Sequence, residues 1–533
     1  MAMNKFIKQE LLKIAPKDEN SLIDFFDNSL KEHKDKPAYK CLGQTISYED
    51  IDTLSAQFAA YLINECHLKK GDRVAIQLPN LIQYPIVAWG IIRAGLIVVN
   101  TNPLYTEREL LHQFNDAGVS VLIVLADFLP LIERVAPKTS IKHIISTNAI
   151  DMLNRQPLPA NSCKNIISLH EALILGEGQA LPHVECDLDD VVVLQYTGGT
   201  TGLSKGVMLT HANLIGSAVI ITVSFGSDLS LPETCIAPMP LYHIYGFNIN
   251  ITSGFKNGIL SILIPNARDT DSLIKVMKAN QFTSFYGVNT LFVSLMQHPE
   301  FNEIDFSMMN KVIAGGAPLV DEIATEWKER TGCEIYEGYG LSETTAAATV
   351  NTLMSRELGT VGPAMISTEI KITDTKGNKV SAGMKGELVM RGPQVMIGYW
   401  KQPDATAAVL DDDGWLRTGD IAIMQENGHI KIVDRINDMI LVSGFNVFPT
   451  EIENVVYSLP GILECAAVGI TDPKSGEAVQ LFVVVSDPVL TEDSIKDHCR
   501  SQLAAYKIPK QVVFKDELPK SNVGKILRRE LRV

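Results

Sequence analysis

The chain has 533 residues, and its 46% hydrophobic and 20% charged residues are typical of a folded globular protein rather than a disordered one. A chain of this length predicts several structural units. Its formal net charge of −15 disfavours nucleic-acid binding, which requires a basic surface.

The cysteines indicate reduced thiols and a cytoplasmic location. All eight are scattered and none forms a C-x-x-C pair, which argues against a zinc site and a disulfide framework. Met1–Ile14 lacks the pattern of a signal peptide. The most apolar window, Leu81–Val99, contains Gln83, Pro85 and Arg93, so it predicts a buried helix and strand rather than a membrane span. Peripheral contact with the inner face of the cell membrane and homodimer formation stay open.

The first third of the chain alternates helices and strands. Ser47 with Asp50, and Thr106 with Glu109, are capping-box pairs that open two helices, and Gly118 ends the second. The predicted strands of this part are Val74–Leu78, Val121–Val124, His143–Ser146 and Val191–Leu194. Asn161–Asp190, in contrast, is typical of a loop-rich connection. Repeated helix and strand units predict an α/β fold with parallel sheets covered by helices.

The remainder of the chain changes character twice. The predicted elements of the middle third are the strands Ile259–Ile264 and Lys311–Ala314 and the helices Asp271–Ala279 and Leu319–Arg330. After about Thr360, short strands separated by turns predict a small β unit. The last hundred residues show a compact α+β pattern. The predicted division is a large N-terminal domain of layered α/β sheets with the small β unit, residues 1–436, and a small α+β C-terminal domain, residues 437–533.

One glycine-rich stretch predicts a phosphate-binding loop. Tyr196–Gly206 reads Y-T-G-G-T-T-G-L-S-K-G and lies between the strand Val191–Leu194 and a helix-like segment, His211–Val219. Glycines let several backbone N–H groups approach an anion, and a following helix adds the positive end of its dipole. An ordinary surface loop is the alternative. The stretch is not a Walker A loop, because two residues separate Gly202 from Lys205.

Two further stretches carry candidate nucleotide contacts. In Tyr336–Thr344, glycines on both sides of Tyr339 favour a ring exposed on a turn, where a planar base can stack. Glu343 follows, and a carboxylate beside phosphates suits Mg²⁺. Asp420 ends Gly414–Asp420 and is placed to accept from ribose hydroxyls. A solvated glutamate and an Asx-turn are the alternatives for these two acids.

Two single residues carry weaker signals. Lys525 follows a glycine in a predicted loop close to a basic tail, where a solvated lysine is the plain alternative. His243 lies among apolar residues, where a histidine is more often a core group than a catalyst. Neither a Ser/His/Asp arrangement nor a G-x-S-x-G motif points to a hydrolase.

Taken in this order and at these spacings, the motifs resemble those of the adenylate-forming superfamily, which includes acyl-CoA synthetases, luciferases and peptide-synthetase adenylation domains. The resemblance covers essentially the whole chain. Within the superfamily it is strongest to bacterial long-chain fatty-acid–CoA ligases, through Gly287–Thr290, Gly392–Trp400, Asp438–Pro449 and Glu517–Arg529.

The resemblance implies a two-step reaction. A carboxylate attacks the α-phosphate of Mg²⁺-bound ATP and forms an acyl-adenylate and pyrophosphate. The thiol of coenzyme A then attacks the acyl carbon and releases AMP. Because charge develops on phosphate oxygens, catalysis rests on positioning and electrostatic stabilisation.

The resemblance also assigns roles to residues. Those implied to contact ATP or AMP are Thr197, Gly198, Gly199, Thr200, Thr201, Lys205, Gly315, Glu337, Gly338, Tyr339, Ser342, Asp420, Arg435 and Asn437. Glu343, with Thr197, is implied to hold Mg²⁺. Lys525 is implied to bridge the carboxylate and the α-phosphate, and His243 to belong to the catalytic group.

The implied C-terminal domain is mobile and rotates between the two steps. It presents Lys525 first, and then the loop with Ser443 and Gly444 for the coenzyme A step. Asn437 departs from the Lys or Asp common at this hinge, which puts the balance of the two orientations in question but neither half-reaction.

The acid is implied less directly. The implied acyl pocket contains Phe247, Gly287, Val288 and Asn289. Pro240–Phe247 has no acidic residue to pair with a substrate amine, which favours a plain carboxylic acid. A ligase for medium-chain or aromatic acids and a fatty acyl-AMP ligase are close alternatives. A non-catalytic nucleotide-binding protein is an alternative of another class, disfavoured because Lys525, Glu343 and Asp420 occur together.

Overall fold

The computed structural model describes residues 2–16, 18–153, 165–197, 204–225, 233–521 and 524–532, with backbone alone for residues 2–5. The α-helices in these ranges are Ala2–Ile14, Leu22–His33, Tyr48–Asn64, Gln83–Arg93, Glu107–Ala117, Leu129–Val135, Leu169–Gly176, His211–Phe225, Ile244–Phe247, Gly254–Lys256, Thr270–Lys278, Asn289–Gln297, Asp321–Thr331, Pro403–Ala407, Pro449–Tyr457, Glu492–Gln502 and Arg528–Leu531. A π-helix covers Asn248–Ser253.

Of the described strands, eight form a first large sheet. Their order across it is Thr349–Val350, Ile335–Tyr339, Lys311–Ala314, Ser284–Gly287, Thr234–Ala237, Leu260–Leu263, Pro37–Cys41 and Gln44–Ser47. The inner pairs are parallel and the pair at each edge is antiparallel. Because parallel strands point the same way, their carboxyl ends lie along one edge.

A second large sheet also contains eight of the described strands. Their order is Gly398–Tyr399, Lys205–Thr210, Val191–Thr197, Ile97–Asn100, Arg73–Gln77, Val119–Leu125, His143–Thr147 and Ile166–Ser168. The strands from Val191–Thr197 onward pair in parallel. The first two pairs are antiparallel, so this edge of the sheet carries a hairpin.

The core lies between helices and both large sheets. Every residue from Gln83 to Ile92 is buried, as expected of a helix that is apolar on all sides. Phe255 stacks on Phe26 at 5.1 Å between ring centroids and packs against Trp89 at 5.1 Å and Tyr48 at 4.5 Å. These rings join helices that are distant in the chain, so they fix the spacing of the layers.

The later part of the chain builds two smaller sheets. The first is antiparallel, in the order Glu369–Thr373, Lys385–Arg391, Leu416–Met424 and Ile430–Arg435. The second contains, in order, Phe445–Val447, Ile440–Val442, Gly476–Val485 and Ile462–Asp472, with Gln511–Phe514 parallel to Gly476–Val485. The second sheet has its own buried cluster, which includes Ile440, Ile452 and Leu481.

The predicted α/β class is confirmed, and so are both capping boxes and the left-handed glycine at position 118. Two local predictions were wrong. The connection 161–190 contains the strand Ile166–Ser168 and the helix Leu169–Gly176 within its described part. Their few residues and weak alternation hide them in the sequence.

The second error concerns the helix after the glycine-rich stretch. The strand Lys205–Thr210 intervenes and pairs antiparallel with Val191–Thr197, Thr197 opposite Lys205 and Val191 opposite Thr210. The helix His211–Phe225 therefore begins at the far end of the hairpin, about 17 Å of strand away from the loop. Its dipole cannot act on an anion bound there.

Within the described ranges, none of the helices combines the length and the apolar character needed to cross a bilayer.

The aromatic cluster generates a stability prediction. Phe255→Ala removes a ring that is only 1% exposed and leaves a cavity among three other rings, so the free energy of unfolding should fall by about 3–5 kcal/mol. Denaturant unfolding followed by circular dichroism measures the change. Phe445→Ala is the matched control, because that ring is 55% exposed, and its loss should cost about 1 kcal/mol or less. Equal costs for the two substitutions would contradict the assigned core.

Candidate active site

Tyr399 connects Lys205, at the loop end of the hairpin, to Glu343. Lys205 Nζ lies 5.0 Å from the centroid of the Tyr399 ring, a cation–π distance. The Tyr399 hydroxyl donates to Glu343 Oε1 at 2.8 Å. Burial, and then the Glu343 charge, raises the pKa of Tyr399, so the hydroxyl stays a donor. The predicted phosphate contacts Gly198, Gly199, Thr200 and Thr201 lie outside the described residues, whereas Thr197 ends the first strand.

Glu343 occupies a strained turn. It lies in the 3₁₀ segment Ser342–Thr344, and the two residues after that segment, Thr345 and Ala346, have left-handed φ angles of 48° and 76°. Such φ angles are rare away from glycine and persist only where neighbours hold them. Gly340 is needed beneath this turn, because a Cβ there would lie 2.1 Å from the Ala346 carbonyl oxygen.

Buried polar side chains hold the turn in place. Thr345 Oγ1 donates to the Gln394 carbonyl oxygen at 2.7 Å, and the Thr345 carbonyl accepts from Asn248 Nδ2 at 2.8 Å. Ser217 Oγ donates to the same carbonyl at 3.0 Å. Asn248 opens the π-helix, a form often found at functional sites. The network fixes the backbone from which Glu343 projects.

Tyr339, Asp420 and Arg435 form one cluster. Asp420 lies opposite Arg435 in an antiparallel pair, its carboxylate 3.1 Å from Arg435 Nε. The Tyr339 hydroxyl donates to Asp420 Oδ2 at 2.5 Å. Burial, and then the Asp420 charge, raises the pKa of Tyr339 well above its usual value, so the hydroxyl keeps its proton. Both predicted turns were wrong here, because Tyr339 ends the strand Ile335–Tyr339 and Asp420 lies inside Leu416–Met424.

A bulge aims the Asp420 carboxylate. Gly419 has a φ of 72°, and the pairing register shifts between Glu387 and Val389 on the neighbouring strand. Thr418 Oγ1 accepts from the Asp420 N–H at 3.1 Å and donates to the Leu388 carbonyl. Gly419 is a turn signal in the sequence, but strand Leu416–Met424 continues through it because it pairs with a neighbouring strand on each side.

Three further residues implied to contact ATP or AMP lie at neighbouring strand ends. Glu337 and Gly338 belong to Ile335–Tyr339, and Gly315 follows Lys311–Ala314. Glu337 Oε1 accepts from the Leu319 N–H at 3.1 Å, so it holds the Gly315 loop. Burial raises the pKa of Glu337 to about 8, so its carboxyl is mostly protonated at neutral pH. A protonated carboxyl can donate to an acceptor atom as well as accept.

Lys525 lies in a loop that reaches these residues. The Ser521 N–H donates to the Lys525 carbonyl at 2.7 Å. Thr290 Oγ1 donates to the Gly524 carbonyl at 3.3 Å, and a Cβ on Gly524 would lie 2.7 Å from that hydroxyl. Burial, and then the charge of Arg435, lowers the pKa of Lys525 to about 8. The charges of both Arg435 and Asp420 therefore act on Lys525.

His243 is a second buried residue of this region, and the charge of Lys525 acts on it. Its Nδ1 accepts from the Tyr245 N–H at 3.2 Å, so the neutral ring carries its proton on Nε2. Burial, and then the positive charge of Lys525, lowers the pKa of His243 to about 4. His243 is therefore neutral at pH 7 and is both a cap for its own helix and a potential donor.

The residues of the predicted acyl pocket have packing roles. Phe247 is fully buried, and Val288 contacts the Lys525 loop through Gly524. Asn289 Oδ1 accepts from the Val320 N–H at 3.1 Å, which ties its helix to the Gly315 loop. A Cβ on Gly287 would lie 3.0 Å from the Phe292 ring. These contacts leave the acyl role of all four a prediction.

The predicted hinge and coenzyme A residues lie after the fourth sheet strand of the small β unit. Asn437 lies in a 3₁₀ segment, and its carbonyl accepts from Arg532 Nη1 at 3.3 Å. Ser443 and Gly444 have left-handed φ angles of 52° and 83° and form the turn between two short strands. Tyr399 is the site residue that motif reasoning missed, although it lies in the Gly392–Trp400 segment that carries the resemblance.

The electrostatics of Lys525 can be tested without a substrate. Lysine-selective acylation of the folded protein should titrate with a midpoint near pH 8 at Lys525, because a depressed pKa exposes the neutral amine earlier as the pH rises. Arg435→Met should move that midpoint upward, since the Arg435 charge opposes protonation. Peptide mass spectrometry across a pH series reads both midpoints. A midpoint in the ordinary lysine range for the unsubstituted protein would contradict the described environment.

Two family models match the chain. One described as AMP-binding enzyme covers residues 26–400, and one described as AMP-binding enzyme C-terminal domain covers residues 451–525. The chain is 44% identical to a long-chain-fatty-acid–CoA ligase of Escherichia coli O157:H7, over 99% of this chain and 97% of that one. It is 35% identical to a long-chain-fatty-acid–CoA ligase of Bacillus subtilis, over 97% and 95% of the two chains.

Solved structures agree with the fold. ATP-bound MatB from Rhodopseudomonas palustris superposes with a TM-score of 0.84 at 28% identity, over 95% of this chain and 98% of that one. The apo form of the same protein gives a TM-score of 0.73 at the same identity and coverage. The resemblance drawn from the motifs is confirmed, and the chain belongs to the family of AMP-binding enzymes.

Proposed function

We propose that this chain is a fatty-acid–CoA ligase that prefers long-chain acids. It activates the acid with Mg²⁺-bound ATP to an acyl-adenylate and pyrophosphate, and then transfers the acyl group to coenzyme A with release of AMP. The observation that carries the proposal is that the charges of Arg435 and Asp420 act on Lys525, and the charge of Lys525 acts on His243. The names of the two relatives support the choice of acid.

In the first step the cluster would hold the nucleotide and Lys525 would stabilise charge. The Asp420 carboxylate accepts hydrogen bonds, so it suits the ribose hydroxyls if the Tyr339 hydroxyl leaves Oδ2 or shares it with them. Arg435 stays paired with Asp420 and adds a positive field. Lys525 has a pKa of about 8 without ligands, and an approaching phosphate and carboxylate would raise it, so the reacting form is the ammonium.

Mg²⁺ fits the residues present. Among the described residues, no group of three or more His, Cys, Asp or Glu side chains could hold an ion unaided. Mg²⁺ commonly takes one or two carboxylates, waters and substrate phosphates, and Glu343 with the hydroxyl of Thr197 is such a partial set. When bound, the ion would neutralise phosphate charge. Tyr399 would orient the Glu343 carboxylate through its hydroxyl.

The second step would use another orientation of the C-terminal part. We propose the division at residues 436 and 437, with rotation about Asn437 and delivery of the Ser443–Gly444 turn to the thiol of coenzyme A. The better superposition on ATP-bound than on apo MatB supports the view that the described orientation is that of the adenylating state. Identity and coverage are equal for the two, which supports a difference in the orientation of the two parts as the cause.

The acyl chain would lie beyond His243, near Phe247 and Gly287–Asn289. The absence of a carboxylate from Pro240–Phe247 supports an acid without a charged amine.

The proposal also includes a cytoplasmic location, with contact at the inner face of the cell membrane where such acids partition, and a homodimer. Flotation with anionic phospholipid vesicles and analytical ultracentrifugation test these two associations separately.

Lys525→Ala should separate the two half-reactions. Adenylation, measured by acid-dependent pyrophosphate exchange into ATP, should fall by about 10²–10³, the scale of a lost charge-stabilising donor. The rate of thioester formation from a synthetic acyl-adenylate and coenzyme A should remain within about threefold of the rate of the unsubstituted protein, because Lys525 is not proposed to act in that step. Lys520→Ala is the matched control, because Lys520 belongs to the same loop but pairs with Glu464. A full exchange rate without Lys525 would refute its assigned role.

A panel of acids should give a graded chain-length preference. Each buried CH₂ contributes about 0.8 kcal/mol, so kcat/KM for thioester formation should rise by about fourfold per added CH₂ until the pocket is filled. Aromatic acids and short acids serve as comparison substrates. Exchange without any coenzyme A thioester would identify a fatty acyl-AMP ligase instead, and the absence of exchange with every acid would indicate a non-catalytic nucleotide-binding protein.

A further inference from the structure

Three carboxylates surround the guanidinium of Arg528. Its Nε and Nη2 donate to the two oxygens of Glu453 at 3.0 and 2.6 Å, a bidentate pair. Its Nη1 lies 3.2 Å from Asp438 and 3.4 Å from Asp434. Asp438 also accepts from Arg532 Nη2 at 2.8 Å. The cluster is half-buried or deeper on every side, so solvent screens it only weakly.

Asp434 is the member that comes from the other side of the proposed hinge. It lies in the strand Ile430–Arg435 of the small antiparallel sheet and is 3% exposed. Its Oδ2 accepts from the Thr450 N–H at 2.8 Å, in the first turn of the helix Pro449–Tyr457. A carboxylate at a helix N-terminus interacts favourably with the helix dipole. Asp434 thus holds the C-terminal part by two contacts, a helix end and Arg528.

Both contacts lead to the proposed reaction centre. Arg435, the neighbour of Asp434, pairs with Asp420. Arg528 follows Lys525 by three residues, which limits their Cα separation to about 11 Å. The strand that positions the nucleotide cluster and the segment that carries Lys525 are therefore joined through one buried carboxylate.

We propose that Asp434 is a positioning residue for the adenylation step, which rests on the proposed function above. By binding the Thr450 N–H and Arg528, it holds the Lys525 segment against the nucleotide cluster. The contribution belongs to the described orientation, in which Lys525 is seated. The thioester step, which uses another orientation, does not depend on it.

The chain offers a matched control in Asp472. This carboxylate is 5% exposed, accepts from the N–H groups of Lys474 and Ser475 at 2.8 and 3.0 Å, and pairs with Lys510. Like Asp434, Asp472 combines backbone N–H donors with a cationic partner, but all the partners of Asp472 lie in the C-terminal part. Asp472→Asn therefore reports the cost of neutralising a buried, paired carboxylate that does not cross the hinge.

The experiment compares Asp434→Asn with Asp472→Asn in both half-reactions. Asp434→Asn should lower acid-dependent pyrophosphate exchange by about tenfold, which corresponds to about 1.4 kcal/mol, and leave thioester formation from a synthetic acyl-adenylate within about twofold. Asp472→Asn should leave the ratio of the two rates unchanged. Arg528→Lys, which keeps the charge but loses the bidentate geometry, provides a second variant with the same expected direction if Asp434→Asn does not fold.

Amide hydrogen exchange on the ligand-free protein gives a readout independent of activity. The peptide that carries Lys525 should exchange faster in Asp434→Asn than in the unsubstituted protein, and at the unsubstituted rate in Asp472→Asn. Equal losses of rate in the two half-reactions of Asp434→Asn, or the same amide hydrogen-exchange pattern in Asp434→Asn and Asp472→Asn, would overturn the positioning role. An unsubstituted protein that shows no pyrophosphate exchange would count against the proposed function alone, since the hydrogen-exchange comparison still decides the role of Asp434.

Discussion

The pairing of Asp420 with Arg435 is the interaction on which the candidate site depends. A carboxylate that is 3% exposed is costly unless it is paired and hydrogen-bonded, and Arg435 and Tyr339 satisfy it from two directions. The positive charge of Arg435 also acts on Lys525, whose pKa is lowered by burial and then by Arg435. Asp420, Arg435 and Lys525 together are therefore two cations and one anion, a set that favours a further anion. This charge balance suits a nucleotide whose phosphates arrive with a carboxylic acid.

The layered fold delivers these groups to one place through the ends of its strands. Gly287, Gly315 and Tyr339 lie at the carboxyl ends of neighbouring parallel strands, where open α/β sheets bind ligands. Thr197 ends a strand of the second large sheet. The small antiparallel sheet adds Asp420 and Arg435 from a third direction. Three separate sheets thus contribute residues to the candidate site, and this requires the buried helices between them to fix their spacing.

Local patterns in the sequence predict the elements well, but the contacts between them poorly. The capping boxes at Ser47 and Thr106 and the strand Lys311–Ala314 follow from residues close in the chain. Tyr339 and Asp420 are 81 residues apart, and Tyr399 and Glu343 are 56 apart, so no spacing rule joins them. The strand Lys205–Thr210 was missed because its first residues continue the glycine-rich composition of the loop. Residue roles came from the resemblance to a family, not from periodicity.

The strained turn after Glu343 sets a limit on how this chain can be stabilised. Thr345 and Ala346 both hold left-handed backbone angles that cost about 1–3 kcal/mol each in a residue with a Cβ. Glycine in place of Ala346 would relieve that strain without removing a hydrogen-bonding side chain, so a search for thermostable variants should select this substitution readily. The same change would loosen the backbone that presents Glu343, and the gain in heat resistance would come with a less ordered carboxylate at the position proposed for Mg²⁺. In this turn, a backbone geometry that favours thermal stability is not the geometry that positions Glu343.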